Sequence, residues 1–211
     1  MQITVFGANG KVGRLVVAGA LECGYQVVAF VHSASSFDDH PNLKIAKGDI
    51  YNAVSVAQAV VGSQVVISAL GSWGTPKKDI LATGMAHIIP AMKANGISRI
   101  ISLTGAAASA AGDKLTLADK ISHRLLLLAA SKILIDGEKH IQLLEQSGQD
   151  YTVIRSPIMN LRGDKLAYNL ANKRPAPWQT INRQSVADAI LGQVESTEHK
   201  KQAPFITRAT V

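Results

Sequence analysis

The chain has 211 residues, enough for one domain with a substantial core and too few for two ordinary ones. Apolar residues make up 47% and charged residues 18%, which excludes a disordered chain. The formal charge of +7 is dispersed, its densest clusters are pairs such as Lys77-Lys78 and Lys200-Lys201, and aromatics are 5%; this is no nucleic-acid stripe and suits a polyanionic small molecule. The opening MQITVFGANG has neither the basic segment nor the long apolar segment of a secretory signal, so a cytoplasmic location is expected. Short runs rich in Val and Ile then predict strands at 3–6, 26–31, 43–46, 65–69, 99–102 and 151–155. Helices are predicted between them near 11–23, 52–61, 78–95 and 118–147, with another near 185–195. The longest apolar run, RLLLLAASKILI (124–135), is interrupted by Ser131 and Lys132 and is too short to cross a bilayer, so it reads as a core helix.

Strands apolar throughout and separated by helices predict an α/β fold with a parallel sheet covered on both faces, doubly wound by right-handed crossovers. No linker or repeat divides the chain. Residues 1–211 are expected to form one domain, with 155–211, which carries KRPAPW, as a small substrate-side lobe over the end of the sheet. The single cysteine, Cys23, cannot form an internal disulfide and is read as packing at the end of the first helix. The six histidines show no metal-like spacing with each other or with Cys23, so no metal is expected.

The first strand runs into GANGKVG. Gly7 can make a tight turn, Gly10 can let backbone approach a pyrophosphate, and Gly13 can let the helix pack close to the strand. Ala8 and Asn9 separate the first two glycines, so the spacing is G-x-x-G-x-x-G. Through Asn9, Lys11 and Val12 this loop opens a helix whose N–H groups and dipole favour an anion. A dinucleotide is therefore expected here. The second strand ends in VVAFVHSASS without the Asp or Glu of an NAD-preferring site, and the next acids, Asp38 and Asp39, lie too far along. His32, Ser33 and Ser35 can donate to a 2′-phosphate and Lys11 or Arg14 can add charge, so NADP is expected, with NAD possible. KGDIYN offers Asp49 and Ile50 to an adenine. SALGSWG offers Ala69, Leu70 and Gly71 along the cofactor, and Trp73 as a cover.

Taken together, GANGKVG, KGDI, SALGS, RIISLTGAA, LLEQSGQDYTVIRSP and INRQSVADAIL resemble the atypical short-chain dehydrogenase/reductases, in particular the NmrA-like and biliverdin reductase B (flavin reductase) branch. The resemblance implies a Rossmann-like fold, NADP or NAD at the glycine loop, and reduction of a flavin, quinone or similar conjugated acceptor. It implies that Thr104 and Ser156-Pro157-Ile158 border the nicotinamide, that Thr104 is a catalytic candidate, and that Lys139 stands where relatives place a basic residue near the ribose.

The chain departs from the wider family at its chemical centre. That family uses Tyr-x-x-x-Lys, in which lysine lowers the tyrosine pKa. Tyr25, Tyr51, Tyr151 and Tyr168 are followed at the fourth place by Ala29, Ser55, Arg155 and Asn172. Ketone and alcohol interconversion is thereby disfavoured. Gly105 replaces the serine that often follows the Thr104 position, leaving Ser102, Thr104 and Ser109 as polar candidates. Two functions remain: a reductase whose apolar pocket draws on Leu70, Trp73, Thr104, Ala106, Pro157 and Ile158, or a non-catalytic redox sensor that reads the cofactor state. The partner expected in the first case is a small molecule, with neither nucleic acid nor membrane.

Overall fold

The computed structural model describes residues 1–33, 37–73, 75–114, 116–160, 166–176 and 178–209, with side chains at all of these except 117–120, 122, 126 and 129. Six strands fall where the apolar runs place them: β1 (Gln2–Phe6), β2 (Gln26–Val31), β3 (Leu43–Lys47), β4 (Val65–Ser68), β5 (Arg99–Gly105) and β6 (Asp150–Ser156). Helices α1 (Gly13–Glu22), α2 (Ala53–Ala59), α3 (Ile80–Ala94) and α4 (Leu117–Glu145) connect them. After β6 come β7 (Ile158–Asn160), β8 (Tyr168–Ala171), β9 (Thr180–Asn182), α5 (Arg183–Gly192) and β10 (Phe205–Arg208).

The large sheet has the order β3-β2-β1-β4-β5-β6-β10-β8, parallel through β10 with β8 antiparallel at the edge. Strand order reverses beside β1, so β1 and β4 flank the crevice at which such sheets bind ligands. Alternation along β1 assigns the two cores. Ile3 and Val5 face α1 and α5, and Phe6 faces α2, α3 and α4. The segment after β6 divides its work: β7 and β9 form a separate two-stranded parallel sheet, while β10 and β8 extend the main one.

The run at 124–135 is helical but is not a core helix throughout. Ala130 leaves the helical region (φ −145°, ψ 39°) and breaks α4 into two pieces. The second piece buries Leu134, Ile141 and Leu144, whereas Leu125, Ile135 and, at 86%, Leu128 are exposed. On the first piece, Leu125 and Leu128 thus face water, where composition alone would bury them. Cys23 is likewise exposed rather than packed, because it caps the C-terminus of α1 beyond the helix's buried face. Among the described residues, no helix is long and apolar enough to cross a membrane, and no group of three His, Cys, Asp or Glu is placed to hold a metal.

Candidate functional site

At the end of β1 the backbone turns at Gly7 with φ +74°, a conformation that side chains with a Cβ rarely adopt. A Cβ there would also stand 2.6 Å from the Ala69 carbonyl oxygen, so the exit from β1 runs directly against the end of β4. A Cβ on Gly13 would collide with the backbone of Gly7 and Ala8. Gly10 is different. It is exposed, its N–H donates to the Gly7 carbonyl at 2.9 Å, and a Cβ would meet that same oxygen at 3.0 Å. Two glycines therefore build the turn and the third keeps its outer surface clear.

Helix α1 starts from Val12 with no side-chain cap and no acid in its first turn. Its positive end faces the crevice without an internal anion. Val12 is buried beneath the loop and Asn9 is half-buried, while Lys11 and Arg14 are exposed. Arg14 donates from Nε to the Asn9 carbonyl at 3.1 Å, and its guanidinium lies 5.8 Å from the Phe37 ring centre, so it bridges the glycine loop and the segment after β2.

At the neighbouring strand ends, His32 and Ser33 are exposed after β2; Ser35 lies outside the described residues. His32 Nε2 is 3.9 Å from Asp49 Oδ2, and Asp49 Oδ1 accepts the Tyr51 N–H. Asp49, from the chain after β3, thus stands beside the imidazole at the end of β2. Ile50 and Leu70 are buried and meet at Gly84 of α3, which places their side chains in the core below the crevice. Ala69 is half-buried and Gly71 exposed at the end of β4. Trp73 follows, 79% exposed.

On the far side of β4, Thr104 is buried with Oγ1 only 2.9 Å from where a Cβ on Gly137 would stand. Its hydroxyl is turned against α4. Two residues back on the same strand face, Ser102 Oγ lies 2.6 Å from His140 Nε2, and burial pushes the His140 imidazole down to about 4. Lys139 is exposed, two positions from Gly137 and so about 200° around the helix from the side that meets β5. The structure does not bring the two catalytic candidates, Thr104 and Lys139, together. Pro157 is buried at the end of β6, whereas Ile158 is 72% exposed. In register, Ile158 pairs with Thr180, and Trp178, two residues before it in the chain, is 83% exposed.

A family model for NAD(P)H binding matches residues 7–197. The chain belongs to that NAD(P)H-binding family. An isoflavone reductase homolog from Zea mays is 37% identical over 82 residues, which cover 34% of this chain and 26% of that protein. The chain spans about a third or less of the length of the curated relatives it matches. Among solved structures, an NAD-dependent epimerase/dehydratase homologue from Bacillus halodurans superposes with a TM-score of 0.82 at 18% identity, over 100% of this chain and 95% of that one. A short-chain dehydrogenase/reductase from Veillonella parvula in complex with NADP gives 0.77 at 20% identity, over 98% and 94%. The NAD(P)H-binding expectation and the Rossmann-like architecture both hold.

None of the tyrosines of this NAD(P)H-binding chain is prepared as an acid. Burial first, then the carboxylates they donate to, pushes Tyr25 (Glu195), Tyr51 (Asp79) and Tyr168 (Asp188) up. Burial also raises Tyr151. Several residues that shape the site carry no motif in the sequence. Asp136, buried on α4, accepts from Ser72 Oγ (2.6 Å) and from the N–H groups of Leu81 and Ala82 (3.1 and 2.8 Å). It joins the loop after β4 to the start of α3. Arg155, 2% exposed, donates to the carbonyls of Ala108 and Ala203, pairs with Asp113 and stacks on Phe205 at 3.6 Å. Arg174 donates to the Ala106 carbonyl and Asp113 from the other side, so two guanidiniums fix the loop after β5.

Proposed function

We propose that the protein is an NADP(H)-dependent reductase of a planar, conjugated small acceptor such as a flavin or quinone. The residues present fit the cofactor: Gly7 and Gly13 form a cradle that a Cβ would fill, over a helix start with no internal anion. In this reading Gly7, Asn9, Gly10, Lys11, Val12 and Gly13 hold the diphosphate through backbone N–H groups. His32, Ser33, Lys11 and Arg14 receive the 2′-phosphate, with Arg14 braced on Phe37. Asp49 meets the adenine, and the backbone of Ala69, Leu70 and Gly71 runs along the molecule above the buried Ile50. Thr104 backbone and Pro157 border the nicotinamide. When bound, the nicotinamide supplies a hydride, and the protein supplies orientation and a dry, apolar surface.

The observation that carries the acceptor class is the rim. Trp73, just after β4, stands 79% exposed beside the strand end that meets the glycine cradle, and Trp178, two residues before the Thr180 that pairs with the exposed Ile158, is 83% exposed. Large aromatic faces left in water at such an edge suit stacking of a flat ring system. The raised tyrosines disfavour chemistry that needs a phenolic acid. Similarity to the maize isoflavone reductase homolog and to the Veillonella protein, whose structure is a complex with NADP, supports the same reading.

Steady-state oxidation of NADPH and NADH with a panel of flavins and quinones tests it. Turnover with at least one conjugated acceptor, and a preference for NADPH, is the expected result. Tight coenzyme binding with no turnover on any acceptor overturns the reductase reading in favour of a sensor.

A further inference from the structure

The break in α4 creates a constellation that no sequence spacing announces. His123 and Glu138 are 15 residues apart, which is about 22 Å along a straight helix. Because Ala130 folds the two pieces back, His123 Nε2 instead lies 2.7 Å from Glu138 Oε1, with both side chains about a quarter exposed. Glu138 is itself anchored: the same oxygen accepts the Ser109 N–H at 3.2 Å. Ser109 belongs to the loop after β5, one residue beyond Ala108, which packs against Gly137 opposite Thr104. Ser109 Oγ is buried and makes no hydrogen bond among the described residues.

We propose that His123, oriented by Glu138, is the proton donor of the reduction. This rests on the reductase reading above. The other titratable side chains described near this edge are committed elsewhere. Asp113 is gripped by Arg155 and Arg174, Asp136 by Ser72 and the start of α3, and Glu145 by the Ala111 N–H. His140 is sealed against Ser102, and Lys139 points off the sheet-facing side of its helix. His123 combines partial exposure with a carboxylate at hydrogen-bond distance that fixes its ring, the arrangement a general acid needs, whereas His32 is 3.9 Å from Asp49 at the end of the crevice assigned to the 2′-phosphate. Glu138 accepts from Nε2–H, which leaves Nδ1 to carry the mobile proton.

The balance is simple. The acceptor gains a hydride with its electron pair from the dihydronicotinamide, and negative charge develops on a conjugated oxygen or nitrogen. Nδ1–H of the imidazolium gives its proton to that atom, and the N–H bonding pair stays on the ring. The neutral imidazole keeps Nε2–H on Glu138, and solvent reloads Nδ1. Glu138 is a positioning residue in this scheme.

The test compares His123→Gln and Glu138→Gln with the wild-type protein in three measurements. NADPH affinity, read by nicotinamide fluorescence, is expected to stay within about twofold in both variants. With the best acceptor of the panel, kcat is expected to fall about 100-fold in His123→Gln and about tenfold in Glu138→Gln, with KM little changed. Without turnover, the His123 ring resonances are expected to shift when NADP+ saturates the wild type, while those of His199, at the opposite edge, do not. A kcat within threefold of wild type in His123→Gln, or ring resonances unmoved by NADP+, overturns the assignment. Failure of the wild type itself to reduce any acceptor removes the reductase reading instead, and is seen before any variant is made.

Discussion

Asp113 holds Arg155 by both Nη atoms, with Nη2 2.8 Å from Oδ1, although the guanidinium is buried to 2% exposure. Burial works to raise the Asp113 carboxyl. It is outweighed by hydrogen bonds from Arg155 and the Ala110 N–H and by the charges of Arg155 and Arg174, which hold the group below the usual carboxylate range. The pair pins the loop after β5 to the end of β6, and Arg174 clamps the same loop from the segment after β8. Removing the carboxylate would strand a buried cation. Asp113→Ala is expected to cost about 3–5 kcal/mol in urea denaturation. Arg174→Ala, at the half-buried end of the cluster, is expected to cost much less. A loss below about 1 kcal/mol for Asp113→Ala would mean that the loop finds its place without the ion pair.

The three glycines of the first loop are expected to separate cleanly. Gly7→Ala meets both a left-handed φ and the Ala69 carbonyl, and Gly13→Ala meets the backbone of Gly7 and Ala8. Each should lower stability by roughly 1–3 kcal/mol or more. Gly10→Val has no positive φ to satisfy, and its Cβ meets the Gly7 oxygen at 3.0 Å and the Ala69 oxygen at 3.9 Å, so it should fold with a loss of about 1 kcal/mol. Its side chain would occupy the space the diphosphate needs. Calorimetry is expected to show NADPH binding abolished in Gly10→Val beside a near-native melting curve; unchanged affinity would move the cofactor away from this loop.

These contrasts also mark what a sequence can convey. The runs 65–69 and 99–102 could be read as the strands Val65–Ser68 and Arg99–Gly105 because a strand buried on both faces needs an unbroken apolar run, and that requirement is local. The turn at Gly7 and the close packing at Gly13 were legible for the same reason, because both act within seven residues. Strand β8, YNLA, has half-buried and exposed residues only, and becomes a strand because Phe205–Arg208 offers it a partner. The run 124–135 reads as core by composition, yet the helix breaks at Ala130 and Leu128 faces water. His123 and Glu138 obey no helical spacing rule once the helix has bent. Contacts made across the fold leave their trace in coordinates, and hardly any in the string of residues.

His140 gives the fold an acid-sensitive seam. Its imidazole is fully buried against Ser102, and desolvation pushes it from the ordinary 6.5 down to about 4. Between those values the unfolded chain binds a proton that the folded chain refuses, so stability falls as pH drops from about 6.5 toward 4. The histidine alone is expected to remove about 2 kcal/mol between pH 7 and pH 5. Urea midpoints for the wild type and His140→Gln measured across that interval check it. The variant, whatever its stability at pH 7, should lose less on acidification; parallel curves would show that His140 takes up its proton without unfolding.

The start of α3 depends on a residue 54 to 55 positions away in sequence. Asp79, its N-cap, makes no side-chain cap, and the carboxylate of Asp136 receives the N–H groups of Leu81 and Ala82 instead, together with Ser72 Oγ. Asp136→Ala leaves two helix N–H groups and one hydroxyl without an acceptor in a buried setting, a loss of roughly 2–4 kcal/mol. Asp136→Asn keeps one acceptor oxygen and should lose about half as much. Because the defect is at a helix end, hydrogen exchange at Leu81 and Ala82 should accelerate in the alanine variant far more than exchange at Ile88 or Met92 further along α3. The loop bearing Trp73 shares this anchor through Ser72, so tryptophan emission should change in step with those amides. Uniform acceleration along the whole of α3 would instead identify Asp136 as a contributor to global stability with no special hold on the helix start.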